Sequence, residues 1–274
     1  MQQQLAEKYT ALKEALSRLE SVIVAFSGGV DSSLVAFVAA EALGEASLAV
    51  TSGSASLKRR DLELARTLAA TWGMRHRVIV TDELTKSDYR ANPTDRCFHC
   101  KTSLYTSLAE IAAREGYANV VNGTNTDDLG DHRPGLAAAR DFGVRSPLVD
   151  AGFAKADVRA LAAELGLDNA QKPQSACLSS RFPYGSHIDE ARLAQVERAE
   201  EALADLGFRQ FRVRHHEEVA RLEIAAEELP HALELRDRLT DAVKACGYRF
   251  VALDLAGFRS GSLNEGLIPA RAIV

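Results

Sequence analysis

The chain has 274 residues, 46% of them hydrophobic and 26% charged, with 18 glycines and 7 prolines; at roughly 150 residues per domain it holds one large domain or two ordinary ones. That balance supports a buried core and excludes a fibre, a mini-protein or a long disordered tail. With 33 basic and 38 acidic residues the net charge is −5, so no global basic surface holds nucleic acid through its phosphates, and any nucleotide or RNA site must be local.

The opening residues, MQQQLAEKYTALKEAL, read as a polar amphipathic helix without the apolar segment behind a basic cap that a secretory signal requires. No run reaches the roughly 18 apolar residues of a membrane span. Four cysteines, Cys97, Cys100, Cys177 and Cys246, point to a reducing compartment in which thiols serve metals or chemistry. A cytoplasmic protein with no membrane partner is expected.

Residues 22–26 (VIVAF) form an apolar run ending in Ser27, Gly28 and Gly29, and residues 32–43 read as a helix stopped by Gly44. The pattern recurs with a strand at 47–51, a helix at 60–72 closed by Gly73 and a strand at 76–80. After a polar connector at 81–96 come a helix at 102–115, strands at 119–122 and 144–149, and a helix at 154–165. Strands that alternate with helices run parallel with both faces covered. Residues 1–186 are therefore expected to form a doubly wound α/β domain with a parallel sheet. Its end, residues 168–186, is irregular and rich in Pro, Ser and Gly, too long for a plain connector, and reads as a linker or an active-site segment. Residues 187–274 give a helix (188–206), two strands (208–214 and 219–225), a helix (227–246) and a strand (248–255). This αββαβ order predicts a small C-terminal α+β domain, for substrate binding or oligomerisation.

SGGVDSS, Ser27 to Ser33, lies between the first strand and its helix, where open backbone N–H groups and the helix dipole favour phosphate. Gly28 and Gly29 let the backbone approach a ligand, Ser27, Ser32 and Ser33 add hydroxyl donors, and Asp31 is placed to hold Mg²⁺ near the phosphates. The motif has no lysine and lacks the GxGxxG spacing, so it is neither a kinase-type P-loop nor a dinucleotide fingerprint.

SGGVDSS resembles the PP-loop of the ATP pyrophosphatase families, which hold the β- and γ-phosphates of ATP while a substrate oxygen attacks the α-phosphorus. The resemblance implies an adenylated intermediate and pyrophosphate. NGTNTDD, residues 122–128, follows a strand as the second segment of those families does; the resemblance has Gly123 line the nucleotide and Asp128 assist metal or substrate, whereas its carboxylates alone also fit a solvated turn.

Cys97 and Cys100 form C-x-x-C in RCFHCKTSL, and Cys177 stands in SACLSSR. Two thiols at this spacing bind a metal or cluster or form a disulfide; zinc would need further ligands, for which His99 and His132 are candidates. The run from SGGVDSS through RCFHCK, NGTNTDDLGDHRPG, RSPL and KPQSACLSSRFPYG is similar to the LarE family of ATP-dependent sulfur-insertion enzymes, over about the first 190 residues. What the resemblance implies is adenylation of a carboxylate of pyridinium-3,5-biscarboxylic acid mononucleotide and its conversion to a thiocarboxylate, for the nickel-pincer nucleotide cofactor of lactate racemase. In one branch of the family a cysteine matching Cys177 attacks the acyl-adenylate and gives up its own sulfur, leaving dehydroalanine. In another, cysteines matching Cys97, Cys100 and Cys177 hold a [4Fe-4S] cluster whose open iron carries a further sulfide. All three are present here, so the cluster is expected, with sacrifice of Cys177 as the alternative.

Arg212 and Arg214 alternate in FRVR and so share a strand face, either to clamp a phosphate or as an exposed polar face. Ser180 and Arg181, close behind Cys177, are candidates for the substrate carboxylate or phosphate. Glu200 and Glu223 read as divalent-cation ligands or a solvated face, and Cys246 as a buried apolar residue. The expected protein uses ATP, Mg²⁺, a small-molecule nucleotide substrate and sulfide or another sulfur donor, and the resemblance adds a homo-oligomer. A tRNA-thiolating PP-loop enzyme and a non-catalytic ATP-binding regulator are the alternatives; the acidic balance and the lack of an evident RNA-binding module speak against the first, Cys177 against the second.

Overall fold

A computed structural model describes residues 3–130, 134–173, 175–259 and 261–264. They divide into two compact units, Met1–Tyr89 with Asp95–Ser175, and Arg90–Thr94 with Ala176–Val274.

The first unit runs α1 (Gln3–Ser17), β1 (Val22–Ala25), α2 (Val30–Leu43), β2 (Ser47–Ser52), α3 (Arg59–Thr71), β3 (His76–Ile79), α4 (Arg96–Glu115), β4 (Asn119–Val121), α5 (Pro134–Asp141) and α6 (Lys155–Glu164). Its four strands are parallel in the order β3-β2-β1-β4, with Val22 opposite both Ser47 and Asn119. Successive residues of β1 serve opposite faces. Val22 and Val24 pack with Leu12, Leu34, Leu68 and Leu161, from α1, α2, α3 and α6, whereas Ile23 packs with Tyr105, Leu108 and Ile111 of α4. A strand covered twice must be apolar throughout, which is why VIVAF reads as a continuous run. The chain leaves β1 in one direction to build β2 and β3 and later returns on the other side to build β4, so the fold is doubly wound. Its switch point lies beyond the carboxyl end of β1, the place where open α/β sheets bind ligands.

Two expected elements differ. Residues 144–149 form no strand: Arg145 makes an isolated parallel bridge to Val121, and Pro147–Asp150 is a helical turn, because Pro147 has no N–H to extend the ladder. Helix α4 begins at Arg96 rather than 102, since nothing in RCFHCK interrupts a helix once Pro93 is passed. Cys97 and Cys100 therefore lie on the helix, not before it.

In the second unit a 3₁₀ turn at Leu178–Arg181 precedes α7 (Glu190–Asp205), β5 (Phe211–His216), β6 (Val219–Ile224), α8 (Leu229–Glu234), α9 (Arg236–Ala245) and β7 (Phe250–Leu253). Asp189 caps α7 by accepting the Arg192 N–H at 2.9 Å. β5 pairs antiparallel and β7 parallel with β6. The helix expected at 227–246 is two, α8 and α9, meeting at Leu235, whose φ of −91° and ψ of 10° leave helical geometry. The core gathers Leu203, Phe208, Val213, Leu222, Ile224, Val243 and Tyr248. Residues 176–186 belong to this unit, together with Arg90–Thr94: Asn92 Nδ2 donates to the Pro183 carbonyl at 2.7 Å and its own carbonyl accepts from Gly185 at 2.9 Å. Among the described residues no helix is long and apolar enough to cross a membrane.

Candidate active site

Between β1 and α2 the chain turns through Gly28 at φ +69°, a left-handed conformation that favours glycine. A Cβ there would lie 3.3 Å from that of Ala65 on α3. No side chain caps the amino end of α2, so its first N–H groups are left for a ligand. The Ser32 hydroxyl donates to the Gly29 carbonyl at 3.0 Å. Having spent its one proton, Ser32 accepts from both the N–H (3.2 Å) and the hydroxyl (3.0 Å) of Ser27. These serines brace the turn. Ser33, expected among the ligand donors, is fully buried and accepts from Asn169 at 2.8 Å; its hydroxyl faces the interior.

The second loop lies directly against this turn. A Cβ on Gly123 would fall 2.6 Å from the Ser32 nitrogen and 2.8 Å from the Asp31 carbonyl carbon, a separation only glycine permits. Asp128 accepts the Asn125 N–H at 3.0 Å, and Asn125 donates its side-chain amide to Asp31 at 3.1 Å. The other Asp31 oxygen is bound by the ammonium of Lys155 at the start of α6, whose backbone N–H is held by Asp127 at 2.9 Å. The carboxylate expected to hold Mg²⁺ thus already carries a lysine and an amide. A hard cation suits its oxygens. Lys155 and Asn125 escaped the sequence reading because their pairing joins positions 124 and 94 residues from Asp31 and leaves no local pattern.

Cys97 and Cys100 stand three residues apart in the first turns of α4, so their thiols share a side of the helix. Cys97 is exposed, Cys100 half-buried, and none of the four cysteines forms a disulfide. His99 lies 3.7 Å from Asp95; His132 is outside the described residues. Among those residues no three His, Cys, Asp or Glu side chains gather as around a metal ion. Thiolates one helical turn apart fit two ligand positions of an iron–sulfur cluster in spacing and in donor chemistry.

In the second unit Cys177 is half-buried and its carbonyl is gripped by Ser180 N–H (3.0 Å), Ser180 Oγ (2.8 Å) and Arg181 Nη1 (3.1 Å). Arg181 is itself buried and bidentate on Glu200, at 2.7 and 3.0 Å, while Nη1 also reaches the Ala176 carbonyl at 2.9 Å. Arg214 is equally committed, to Glu223 (2.9 Å), the Ser180 carbonyl (2.6 Å) and Ser262 (2.7 Å). Glu200 and Glu223, read as cation ligands or a solvated face, are neither: both are buried in ion pairs with arginine, which is how such charges survive burial. Arg212 differs from its neighbours. It is half-buried, stacks over Phe258 at 5.1 Å, and makes no ion pair among the described residues. Burial, then the charges of Arg181 and Arg214, pull its pKa down to about 10 against the opposing glutamates. Arg181, Arg214 and Arg221 share Glu200, Glu223 and Asp254, so Arg212 adds a positive charge without an ion-pair partner among the described residues, and an incoming anion relieves it.

A lysine-free glycine turn at the switch point of a doubly wound sheet, with a second loop seated on it, defines a PP-loop protein of the ATP-utilising class. In agreement, the NAD synthase family model matches residues 5–100. The chain is 41% identical over 268 residues to the pyridinium-3,5-bisthiocarboxylic acid mononucleotide synthase of Lactiplantibacillus plantarum, 97% of either chain. It is 40% identical over 265 residues to the uncharacterized protein slr1717 of Synechocystis sp., 96% of this chain and 99% of that one. A more distant relative, uncharacterized protein MJ0830 of Methanocaldococcus jannaschii, is 29% identical over 249 residues, 91% of this chain and 94% of that one. The chain belongs to the family of the Lactiplantibacillus plantarum synthase, the LarE family of PP-loop enzymes.

Proposed function

We propose that the protein is an ATP-dependent sulfur transferase that adenylates the carboxylates of pyridinium-3,5-biscarboxylic acid mononucleotide and converts them to thiocarboxylates. The observation that carries this is the 41% identity, over 97% of the chain, to a protein named for the bisthiocarboxylic product.

The turn at Ser27, Gly28 and Gly29 and the open amino end of α2 receive the β- and γ-phosphates, and Asp31 receives Mg²⁺. A substrate carboxylate oxygen forms a bond to the α-phosphorus, and the bond to the bridging oxygen breaks to release pyrophosphate. The sulfur of Cys177 then attacks the acyl carbon and AMP departs with the carboxyl oxygen; loss of the Cys177 Cα proton and cleavage of its Cβ–S bond free the thiocarboxylate and leave dehydroalanine. Arg212 meets the phosphate of the mononucleotide; Ser180, Arg181 and Arg214 hold the turn that presents Cys177 and line the substrate beside it. A [4Fe-4S] cluster on Cys97, Cys100 and Cys177, when bound, supplies sulfide from outside and spares the cysteine. An external sulfur donor, a homo-oligomer and a cytoplasmic location belong to the same reading and rest on family resemblance.

Incubation with ATP and the biscarboxylate nucleotide is expected to release pyrophosphate and AMP. Cys177→Ala is expected to keep pyrophosphate release and abolish thiocarboxylate. No affinity for ATP, or cleavage to ADP and orthophosphate, would end this reading, and pyrophosphate release that requires tRNA would move it to a tRNA thiolase. Anaerobic iron and sulfide analysis of wild type and Cys97→Ala tests the cluster. Intact mass after turnover tests sacrifice, which removes about one H₂S, roughly 34 Da, at Cys177.

A further inference from the structure

The phosphate turn carries no lysine of its own, yet a partly buried chain of polar contacts reaches its backbone. The Gly28 carbonyl accepts from Asn169 Nδ2 at 3.0 Å and from Lys172 Nζ at 3.4 Å. Asn169 is buried, and its Oδ1 makes no hydrogen bond, so here it serves only as a donor. Lys172 is held by Asp61 of α3 at 2.8 Å, and the second oxygen of Asp61 accepts from Ser175 at 2.7 Å. Burial raises the Asp61 pKa, but the bonds from Lys172 and Ser175 outweigh it and hold the carboxyl below its ordinary value. Arg159 of α6 fixes the same segment by donating to the carbonyls of Ala170 (2.9 Å) and Lys172 (3.0 Å).

The geometry of a peptide plane turns these contacts into a device. In a trans peptide the C=O and the following N–H point in opposite directions, and no described peptide is cis. When Asn169 and Lys172 draw the Gly28 carbonyl down, the Gly29 N–H is turned the other way, where its contact is a long 3.4 Å bond to Ser27 Oγ. An ammonium on the carbonyl oxygen also polarises the peptide, making that N–H a stronger donor.

We propose that Asn169 and Lys172 are positioning residues of the ATP phosphate site, aiming and polarising the Gly28–Gly29 peptide toward the β- and γ-phosphates, with Asp61 holding Lys172 in place. This rests on the reading of Ser27 to Ser33 as the triphosphate cradle. It gives the lysine-free turn a cation from more than 140 residues away in the chain, acting through the backbone.

Calorimetric titration of the full chain with Mg²⁺ and either ATP or AMP tests it, because AMP lacks the two phosphates concerned. Asn169→Asp, which keeps the shape and replaces the donor by an acceptor, and Lys172→Met, which keeps the stem and removes the charge, are each expected to weaken ATP roughly tenfold or more. AMP affinity is expected to stay within about twofold, and Lys172→Arg to recover part of the loss. Equal loss for ATP and AMP, or no loss for ATP, in folded variants overturns the proposal. Should Asn169→Asp fail to fold, Lys172→Met and Lys172→Arg decide it. A wild type that binds ATP no better than AMP overturns the cradle reading itself, whereas a wild type that discriminates and variants that still discriminate equally overturn only this inference.

Discussion

Gly123 shows how a single absent atom shapes the site. Its would-be Cβ meets backbone, 2.6 Å from the Ser32 nitrogen, and a backbone atom at the start of a packed helix has no room to yield. Gly123→Ala is therefore expected to cost about 1–3 kcal/mol and to weaken ATP by prying the second loop off α2, measured by thermal unfolding and by titration with ATP. An unchanged midpoint with unchanged affinity would show that the two loops part freely. Gly28 carries a different constraint: its φ of +69° fixes the direction of the peptide that Asn169 and Lys172 hold, so backbone conformation and side-chain contacts act on one bond.

Among the elements, the turn at Leu178–Arg181 depends on a charge pair rather than on helix length. Arg181 and Glu200 are each almost wholly buried, 3% and 4% exposed at the side chain, and joined by two hydrogen bonds. Losing one partner strands the other in a medium that penalises charge. Arg181→Met is expected to cost about 3–5 kcal/mol, read from chemical unfolding of the second unit, and Arg181→Met combined with Glu200→Gln to cost less than the sum of the single changes. A strictly additive result would deny the coupling. The same pair marks what a linear reading misses. β1, α2 and the glycine turn were legible because hydrophobic run, turn and helix follow one another locally, and the irregular segment announced itself by length and composition. FRVR showed that Arg212 and Arg214 share a face, but not that Glu223 from the neighbouring strand already claims Arg214. Likewise the polarity of Glu200 suggested solvent, because its partner stands 19 positions before it in a stretch without periodicity. The strand at 144–149 failed for a local reason that was visible, Pro147, outweighed by the apolar residues around it.

Across the whole molecule the histidines set the response to pH. His215 is buried between the Phe182 ring, 4.9 Å away, and the Tyr248 ring at 5.6 Å, with Nδ1 3.0 Å from the Tyr248 hydroxyl and Nε2 buried without a partner. Burial lowers its pKa; Arg192 and His216 push the same way, while Glu217 and Asp189 oppose. Burial likewise lowers His216, assisted by Arg221 and Arg214, and His76, assisted by Arg66. A histidine whose folded pKa lies below its unfolded value of 6.5 binds fewer protons when folded. Its contribution is complete above about 6.5 and is lost as the pH falls from there toward the lowered folded value. Carboxylates act later: Asp61, Asp82 and Asp157 are held below the ordinary 3.8, so their contribution persists until the pH drops below about 4 and then fades. Thermal midpoints are thus expected to be level from pH 8 to about 6.5 and to decline as the pH falls below about 6.5, by about 2–4 °C for each kcal/mol lost in a domain of 150–250 residues. His215→Gln, which removes the titrating group beside Tyr248, is expected to flatten the part of this decline that belongs to the second unit, whatever it does to the midpoint at pH 8. A variant whose decline matches that of the wild type would assign the pH response to His76 and His216, which lie outside the Phe182 and Tyr248 stack.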